Sequence, residues 1–400
     1  MPEFIPFKGS LYADTANLDK LICPPYDVIS PEERIYYANL SPYNAVHIEL
    51  PEPSNPHRYK QAGNLLVSWL ETGILVTEEA PIFYGYEMQP KDSQLTKTTI
   101  GVLGAIKLED PGEGIFPHEK TIQKDMTDRL ELLKATKANI SPIWLLSKAK
   151  SLSALVRSTK RDLIKAVSKD LVIHSYWKIK NSDAIKEIAR LVSLNDLVIA
   201  DGHHRFATAL NFYKSLGEPK KHPSQYVMAY VVQLDTDSLD LGPIHRVVSK
   251  DLGQALINFC QRFNFIKKLT LQQAFSLELQ RDSFAVALGN EINLYQSNEL
   301  AQKLPSEFAE ELLNLLKGEI LCYANNLDEV KKALVDKKAV LCLPAVTVKD
   351  IDYYSTMRKV MPPKSTFFRP KPQTGMVIRC FNELPKLPKN DKAHSGHQPL

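Results

Sequence analysis

The chain has 400 residues, enough for two or three domains, and a composition of 44% hydrophobic and 24% charged residues that excludes a disordered or fibrous chain. No apolar run approaches a membrane span, and the opening MPEFIPFKGS lacks the basic flank and apolar stretch of a secretory signal. Five cysteines, Cys23, Cys260, Cys322, Cys342 and Cys380, include no Cys-x-x-Cys pair; this argues against a zinc knuckle or disulfide framework and for a reducing cytoplasm.

The net charge of +4 is unevenly spread. Residues 148–180 hold nine Lys/Arg against Asp162 and Asp170, and the stretch after Met357 holds nine against Glu383 and Asp391. Such stretches can favour anionic ligands, but more often they are solvated faces and tails. The first is not interleaved with stacking aromatics, so nucleic acid is not expected as a partner.

In chain order, FIPFKG reads as a first strand and turn. CPPYDVIS follows a rigid, extended path set by its two prolines, and aims Tyr26 and Asp27 from a fixed element. Either they face a site, or Tyr26 packs and Asp27 caps a turn. Ser30-Pro31-Glu32-Glu33 opens a helix to about Leu40, with Ser30 as N-cap, Pro31 at N1 and Glu33 completing a capping box. NAVHIEL reads as a strand with His47 and Glu49 on one face, an acid/base pair if that face lines a cleft and solvent-facing residues otherwise. Residues 57–72 read as a helix with Leu65, Leu66, Trp69 and Leu70 inward and Gly73 after its end. Residues 81–88 alternate as a half-buried strand with Ile82, Tyr84, Tyr86 and Met88 on one face; 99–108 is its hairpin partner.

FPHEKT places His118, Glu119 and Lys120 after a proline in a loop, where a charged triplet has no packing duty. Asp128 and Arg129 lie near the start of an amphipathic helix, and 140–146 returns as a strand. Residues 151–167 and 182–193 read as helices flanking a strand at 173–179.

LVIADGHHRFATAL then reads as a buried strand, a break at Asp201-Gly202, and a helix from His203 with Phe206, Ala209, Leu210 and Tyr213 inward. Backbone N–H groups at such a turn can hold an anion, Gly202 permits close approach, and the Arg205 fork matches phosphate oxygens. Asp201 could take a metal or a proton. His203 and His204 point about 100° apart, one toward a ligand and one toward the core. The plain alternative is a helix start capped by Asp201, which leaves Gly-His-His-Arg unexplained.

QYVMAYVVQL (225–234) is an inner strand. In PIHRVV, His245 and Arg246 supply further phosphate or substrate contacts or cap a strand end. Beyond it, helix-like stretches (251–264, 271–280, 304–316, 327–335) alternate with strands (284–288, 340–343). In MPPKSTFF, Lys364 could reach a phosphate, though no Walker motif precedes it. From about Asn382 the chain reads as a disordered tail.

Asp-Gly-His-His-Arg resembles the phosphate-binding turn of the ParB/sulfiredoxin-like fold. CPPYDVIS, NAVHIELP, FPHEKT, DRLELLKATKANISPI, ADGHHRFATAL, PIHRVV and MPPKSTFF, in that order, resemble a prokaryotic family catalogued as domain-of-unknown-function family 1015. The resemblance implies a mixed α/β (α+β) fold. A ParB/sulfiredoxin-like core would occupy residues 1–235, with inserted helices at about 148–193, and an additional α/β domain residues 236–381.

Some ParB-like proteins are free-serine kinases, so the resemblance implies a nucleotide-dependent kinase using ATP or ADP with Mg²⁺, and acting on the hydroxyl of a free amino acid such as L-serine. In that expectation Gly202, His203, His204, Arg205, Arg129, His245, Arg246 and Lys364 bind phosphates. Glu119, His118, Asp27 and Asp201 are catalytic, and Tyr26, His47 and Glu49 hold a small polar substrate. Tyr26–Asp27, His118–Glu119 and Asp201–Arg205 should then converge. Two other readings stand beside it. One is a metal-dependent hydrolase with His118, Glu119, Asp201 and His203 as ligands. The other is a ParB-like nucleotide-sensing regulator, for which no convincing helix-turn-helix is found.

Overall fold

The computed structural model describes residues 2–91, 97–117, 123–220, 222–270, 273 and 279–381. His118, Glu119 and Lys120, most of the helix expected over 271–280 and the tail expected from Asn382 lie outside the described residues.

Two sheets organise a mixed α/β fold. The first runs Ile115–Pro117, Leu197–Asp201, Ile143–Ser147, Tyr226–Gln233, Thr99–Lys107, Phe83–Pro90, Val172–Ile179 and Ile164–Val167, with Phe4–Ile5 also paired to Thr99–Lys107. Two of its pairings are parallel, Leu197–Asp201 with Ile115–Pro117 and Tyr226–Gln233 with Ile143–Ser147; the rest are antiparallel.

Both faces of this sheet are buried. Tyr84, Tyr86, Met88, Trp144 and Tyr230 face a core shared with Leu66 and Trp69 of the Arg58–Glu71 helix and with Met376, Val377 and Ile378. Phe83, Val102, Leu145, Trp177 and Val231 face a second core. The Leu152–Ser158, Ser182–Ser193 and His203–Ser215 helices cover it with Leu152, Val156, Ile188, Val192, Phe206 and Leu210. The strand expected to be half-buried at 81–88 is therefore a central one. Its alternation records which core each residue enters, not a wet and a dry face.

Local rules account for several elements. The Ser30 hydroxyl accepts from Glu33 N–H at 3.1 Å and Glu33 closes the capping box, so Pro31–Leu40 starts as its sequence dictates. Asn181 caps Ser182–Ser193 through the amides of Asp183 and Ala184.

Two expectations are corrected. NAVHIEL is not a strand, because Val46–Glu49 is a single helical turn. Asn44 starts it by accepting from Val46 N–H at 2.9 Å while donating to the Lys20 and Ile22 carbonyls. His47 and Glu49 consequently share no strand face, and Glu49 turns inward while the His47 ring contacts the Ser41 carbonyl at 3.1 Å. The expected helix over 151–167 stops at Ser158; Asp162 takes a left-handed φ of 46°, and Ile164–Val167 is the sheet's edge strand.

The second sheet is antiparallel, in the order Asn264–Leu269, Glu291–Gln296, Ser283–Leu288, Ala339–Cys342, His245–Val248 and Cys322–Ala324. Phe308, Leu312 and Leu256 pack on one side of it, and Val330 and Ala333 on the other. The C-terminal segment does not stay with it. Phe367–Arg369 pairs with Asp240–Gly242, Thr374 with Cys23, Ile378 with Ser10, and Arg379–Cys380 with Ala138–Asn139. The expected 236–381 unit thus ends in a strap that crosses back over the first sheet. No described helix is long and apolar enough to cross a membrane.

Gly85 sits under an indole: a Cβ there would lie 2.0 Å from Trp177 Cε2, inside the second core. Gly85→Ala is expected to cost about 3 kcal/mol, because neither the ring nor the central strand can give way. Urea unfolding of the two proteins measures it.

Candidate functional site

The Leu197–Asp201 strand ends one residue later than the sequence suggests. Asp201 closes it opposite Trp144, after a register shift from Ile199. Gly202 is the N-cap of His203–Ser215, with a φ of 88° that a side chain would strain. The N-cap is thus Gly202, which has no side chain to cap with, and the reading of Asp201 as N-cap is corrected. Released from capping, the Asp201 carboxylate faces two cations.

Those two are Arg205 and Lys371. Arg205 Nη2 meets Asp201 Oδ2 at 2.6 Å, one helical turn on, and its Nη1 bonds the Pro142 carbonyl. Lys371 Nζ meets Asp201 Oδ1 at 2.8 Å and Asp27 Oδ2 at 2.7 Å. The Lys371 side chain is 11% exposed, a buried ammonium between two carboxylates. Asp27 and Asp201, singled out separately in the sequence, are thus one side chain apart.

A second cluster adjoins the first through Tyr26. The Arg129 guanidinium lies 4.1 Å over the Tyr26 ring, and its Nη1 donates to the Glu49 carbonyl at 2.7 Å. Asp128 holds Arg129 through Oδ2 at 2.5 Å, and accepts from Tyr59 at 2.6 Å and Arg58 at 3.0 Å through Oδ1. The Glu49 carboxylate accepts from Tyr26 N–H at 3.3 Å and Ser141 Oγ at 3.1 Å. Glu49 and Arg129 of the second cluster and Arg205 of the first help to line a cavity of about 50 Å³, with Ser141, Thr208 and several apolar residues. That volume holds a few waters or a small polar head group.

The remaining candidates are placed as follows. His203 is buried and His204 half-buried. Lys364 is exposed, and its charge acts on Asp201. His245 and Arg246 belong to the second sheet: His245 Nδ1 accepts from Leu343 N–H at 3.1 Å, and Arg246 donates to the Ile244 and Lys364 carbonyls at 2.8 and 3.2 Å. Burial lowers the His245 pKa to about 4, so its ring is neutral. His47 points at the Ser41 carbonyl. Sequence reasoning missed Lys371, Ser141, Arg58 and Tyr59. Only the adjacent prolines of RPKPQTG mark the Lys371 region as rigid.

Among the described residues no three His, Cys, Asp or Glu side chains could together hold a metal ion, and both Asp201 oxygens are occupied by cations. A transition-metal centre on Asp201 and His203 would need His118 and Glu119. Mg²⁺ is less demanding, taking one or two carboxylates and otherwise phosphate and water oxygens. Asp27, its side chain 32% exposed, fits that requirement, whereas Asp201 does not while Arg205 and Lys371 hold both its oxygens.

Electrostatics keep the cluster charged. Burial alone would raise the Asp201 pKa, but the Lys371 and Arg205 charges outweigh it and lower the value from 3.8 to about 2. Burial works against the Lys371 charge, yet Asp201 and Asp27 hold its pKa above the usual lysine value. Burial, then Asp27, raises the Tyr26 pKa, so Tyr26 stays protonated. The folded pKa of Asp201 lies below the unfolded one, so its stabilisation is complete above about pH 4 and lost as pH falls through about 2. In Lys371→Met the main opposing charge is gone and the Asp201 pKa rises. Between about pH 4 and 2 the acid limb of a urea-stability profile should therefore fall less than in the wild type, because the gap between the folded and unfolded Asp201 pKa has narrowed.

Comparison with known proteins adds the following. None of the curated proteins matches the chain significantly. Among solved structures, a free serine kinase in complex with AMP is 16% identical with a TM-score of 0.39, over 73% of this chain and 96% of that one. A conserved hypothetical protein from Pyrococcus furiosus is 16% identical at a TM-score of 0.37, over 69% and 94%. C-terminally truncated SbnI from Staphylococcus aureus is 11% identical at 0.37, over 70% and 85%. The model of one family, described as a protein of unknown function (DUF1015), matches residues 4–317, and the chain belongs to that family.

Proposed function

We propose that this protein is a nucleotide-dependent phosphotransferase acting on the hydroxyl of a small polar molecule, such as the free amino acid L-serine. The observation that carries the reading is the Asp27–Lys371–Asp201–Arg205 chain of charges at the start of the His203–Ser215 helix. Phosphoryl transfer asks a protein mainly for positioning and for cations fixed in advance. This arrangement offers both.

In the proposed mechanism the backbone N–H groups at the start of His203–Ser215 receive the nucleotide's phosphate oxygens. Arg205 and Lys371 face the transferring group, each fixed by one oxygen of Asp201. Mg²⁺, carried on the nucleotide's own phosphates, would neutralise part of their charge. Asp27 is the outermost carboxylate of the chain, its side chain 32% exposed, and it accepts the acceptor hydroxyl's proton. Glu49 and Arg129, with opposite charges on the small cavity, hold the polar end of the acceptor. The amino-acid acceptor is supported by the resemblance of the Asp201–Arg205 turn to ParB-like serine kinases.

Thermal melting with ATP, ADP or CTP plus Mg²⁺ tests the site. A ligand that binds only the folded state must raise the apparent stability. One nucleotide should raise the melting temperature of the wild type, and Arg205→Ala should lose the response. With L-serine as acceptor, Asp27→Asn should lower the turnover about a hundredfold or more. No response to any of the three nucleotides overturns the reading.

A further inference from the structure

The central strands carry a second polar run. Tyr86, His174 and Ser168 are buried, at 1%, 0% and 7% exposure. The hydrogens along it are fixed by elimination. The Gln373 amide can only donate, and it meets the Tyr86 hydroxyl at 3.0 Å. That hydroxyl has one hydrogen and a next partner, His174 Nδ1, at 2.8 Å. Nδ1 therefore accepts, the ring proton sits on Nε2, and Nε2 donates to Ser168 Oγ at 3.1 Å. Ser168 accepts from Val172 N–H at 3.3 Å and passes its own hydrogen to the Asp170 carboxylate at 2.5 Å. Burial, which lowers the His174 pKa to about 3, keeps the ring neutral. A protonated ring would press a second donor against the Tyr86 oxygen.

The inner end of this run lies beside the candidate site. Gln373 is two residues from Lys371. Thr374 exchanges backbone hydrogen bonds of 3.2 and 2.8 Å with Cys23, the first residue of the CPPYD element that carries Asp27. On the other side of Lys371, Arg369 pairs with Asp240 at 2.9 Å. The strap is therefore anchored before and after the lysine, and the Tyr86 hydroxyl is the acceptor for the nearer downstream anchor.

We propose that Tyr86, His174 and Ser168 are positioning residues, whose one-way hydrogen-bond chain fixes the backbone at Gln373 and so holds Lys371 against Asp27 and Asp201. They touch no ligand. Their bearing on phosphoryl transfer rests on the function proposed above, whereas their hold on the strap does not.

The test uses the full chain and two readouts that need no activity. Nitrogen NMR of His174 should show the proton on Nε2. Ser168→Ala removes the acceptor of that proton and should shift the Nε2 resonance while the proton stays on Nε2, since Tyr86 still donates to Nδ1; Ser168→Thr, which keeps the hydroxyl, should leave the wild-type resonance. Tyr86→Phe should speed amide exchange over residues 369–376 about tenfold, with exchange in the Tyr226–Gln233 strand unchanged. Where the wild type responds to a nucleotide, Tyr86→Phe should also shrink its melting shift. A proton on Nδ1 in the wild type, or unchanged exchange over 369–376 in a folded Tyr86→Phe protein, overturns the inference. If Tyr86→Phe does not fold, unchanged exchange over 369–376 in Ser168→Ala overturns it instead. Absence of any nucleotide response together with the expected tautomers and exchange would remove the kinase reading and leave the positioning role standing.

Discussion

A buried lysine between two carboxylates is the constraint on which the rest depends. Lys371 meets Asp201 across 170 residues of sequence and Asp27 across 344. Removing one member of a buried ion pair typically costs about 3–5 kcal/mol, because the other is left charged without compensation. The three residues are therefore interdependent. The strand end at Asp201, the CPPYD element and the C-terminal strap must all be in place before any of their charges is satisfied.

The contacts around that lysine serve to fix directions. Arg205 ties the first turn of its helix to the strand before it and, through Pro142, to the neighbouring chain segment. Gly202 makes this possible: a Cβ there would lie 3.2 Å from the Arg205 guanidinium in a strained left-handed backbone. Arg129 performs the matching task on the other side of Tyr26. It stacks on the ring while Asp128 fixes its plane, so the ring and the Glu49 backbone are held by one guanidinium. Three arginines and one lysine thus lie close to four carboxylates, and ligand charge would enter a site whose partners are already ordered.

Much of this was legible in the sequence where the cause is local. Ser30 and Glu33 act within three residues of each other, and the helices at Pro31–Leu40 and Ser182–Ser193 form where the pattern places them. NAVHIEL was misread because Val46, Ile48 and Leu50 alternate. A single helical turn is too short to reveal its own period, and it is started by Asn44, which bonds to Lys20 and Ile22. The central strand at 83–90 showed its alternation but not its second core, since nothing in it announces the helices that cover the far face. Asp27, Asp201 and Arg205 stood out as charges near prolines or a glycine, and Arg129 as one near a helix start. Lys371 did not, because its meaning lies wholly in two distant carboxylates.

The second sheet also bears on the site, through backbone rather than chemistry. Arg246 looked like a phosphate ligand in the sequence, but its guanidinium stacks near Tyr323 and donates to the carbonyls of Ile244 and Lys364. Lys364 begins the run that leads through Phe367–Arg369, paired to Asp240–Gly242, to Lys371. The strap thus leaves the second sheet held by Arg246, is pinned by Asp240 and enters the first core at Met376, Val377 and Ile378. A charge delivered by so long a path needs every stage fixed, since a one-residue slip in a paired segment reverses which side a chain's residues face. That requirement explains why an arginine buried in one sheet is tied to the backbone leading to a lysine in the other.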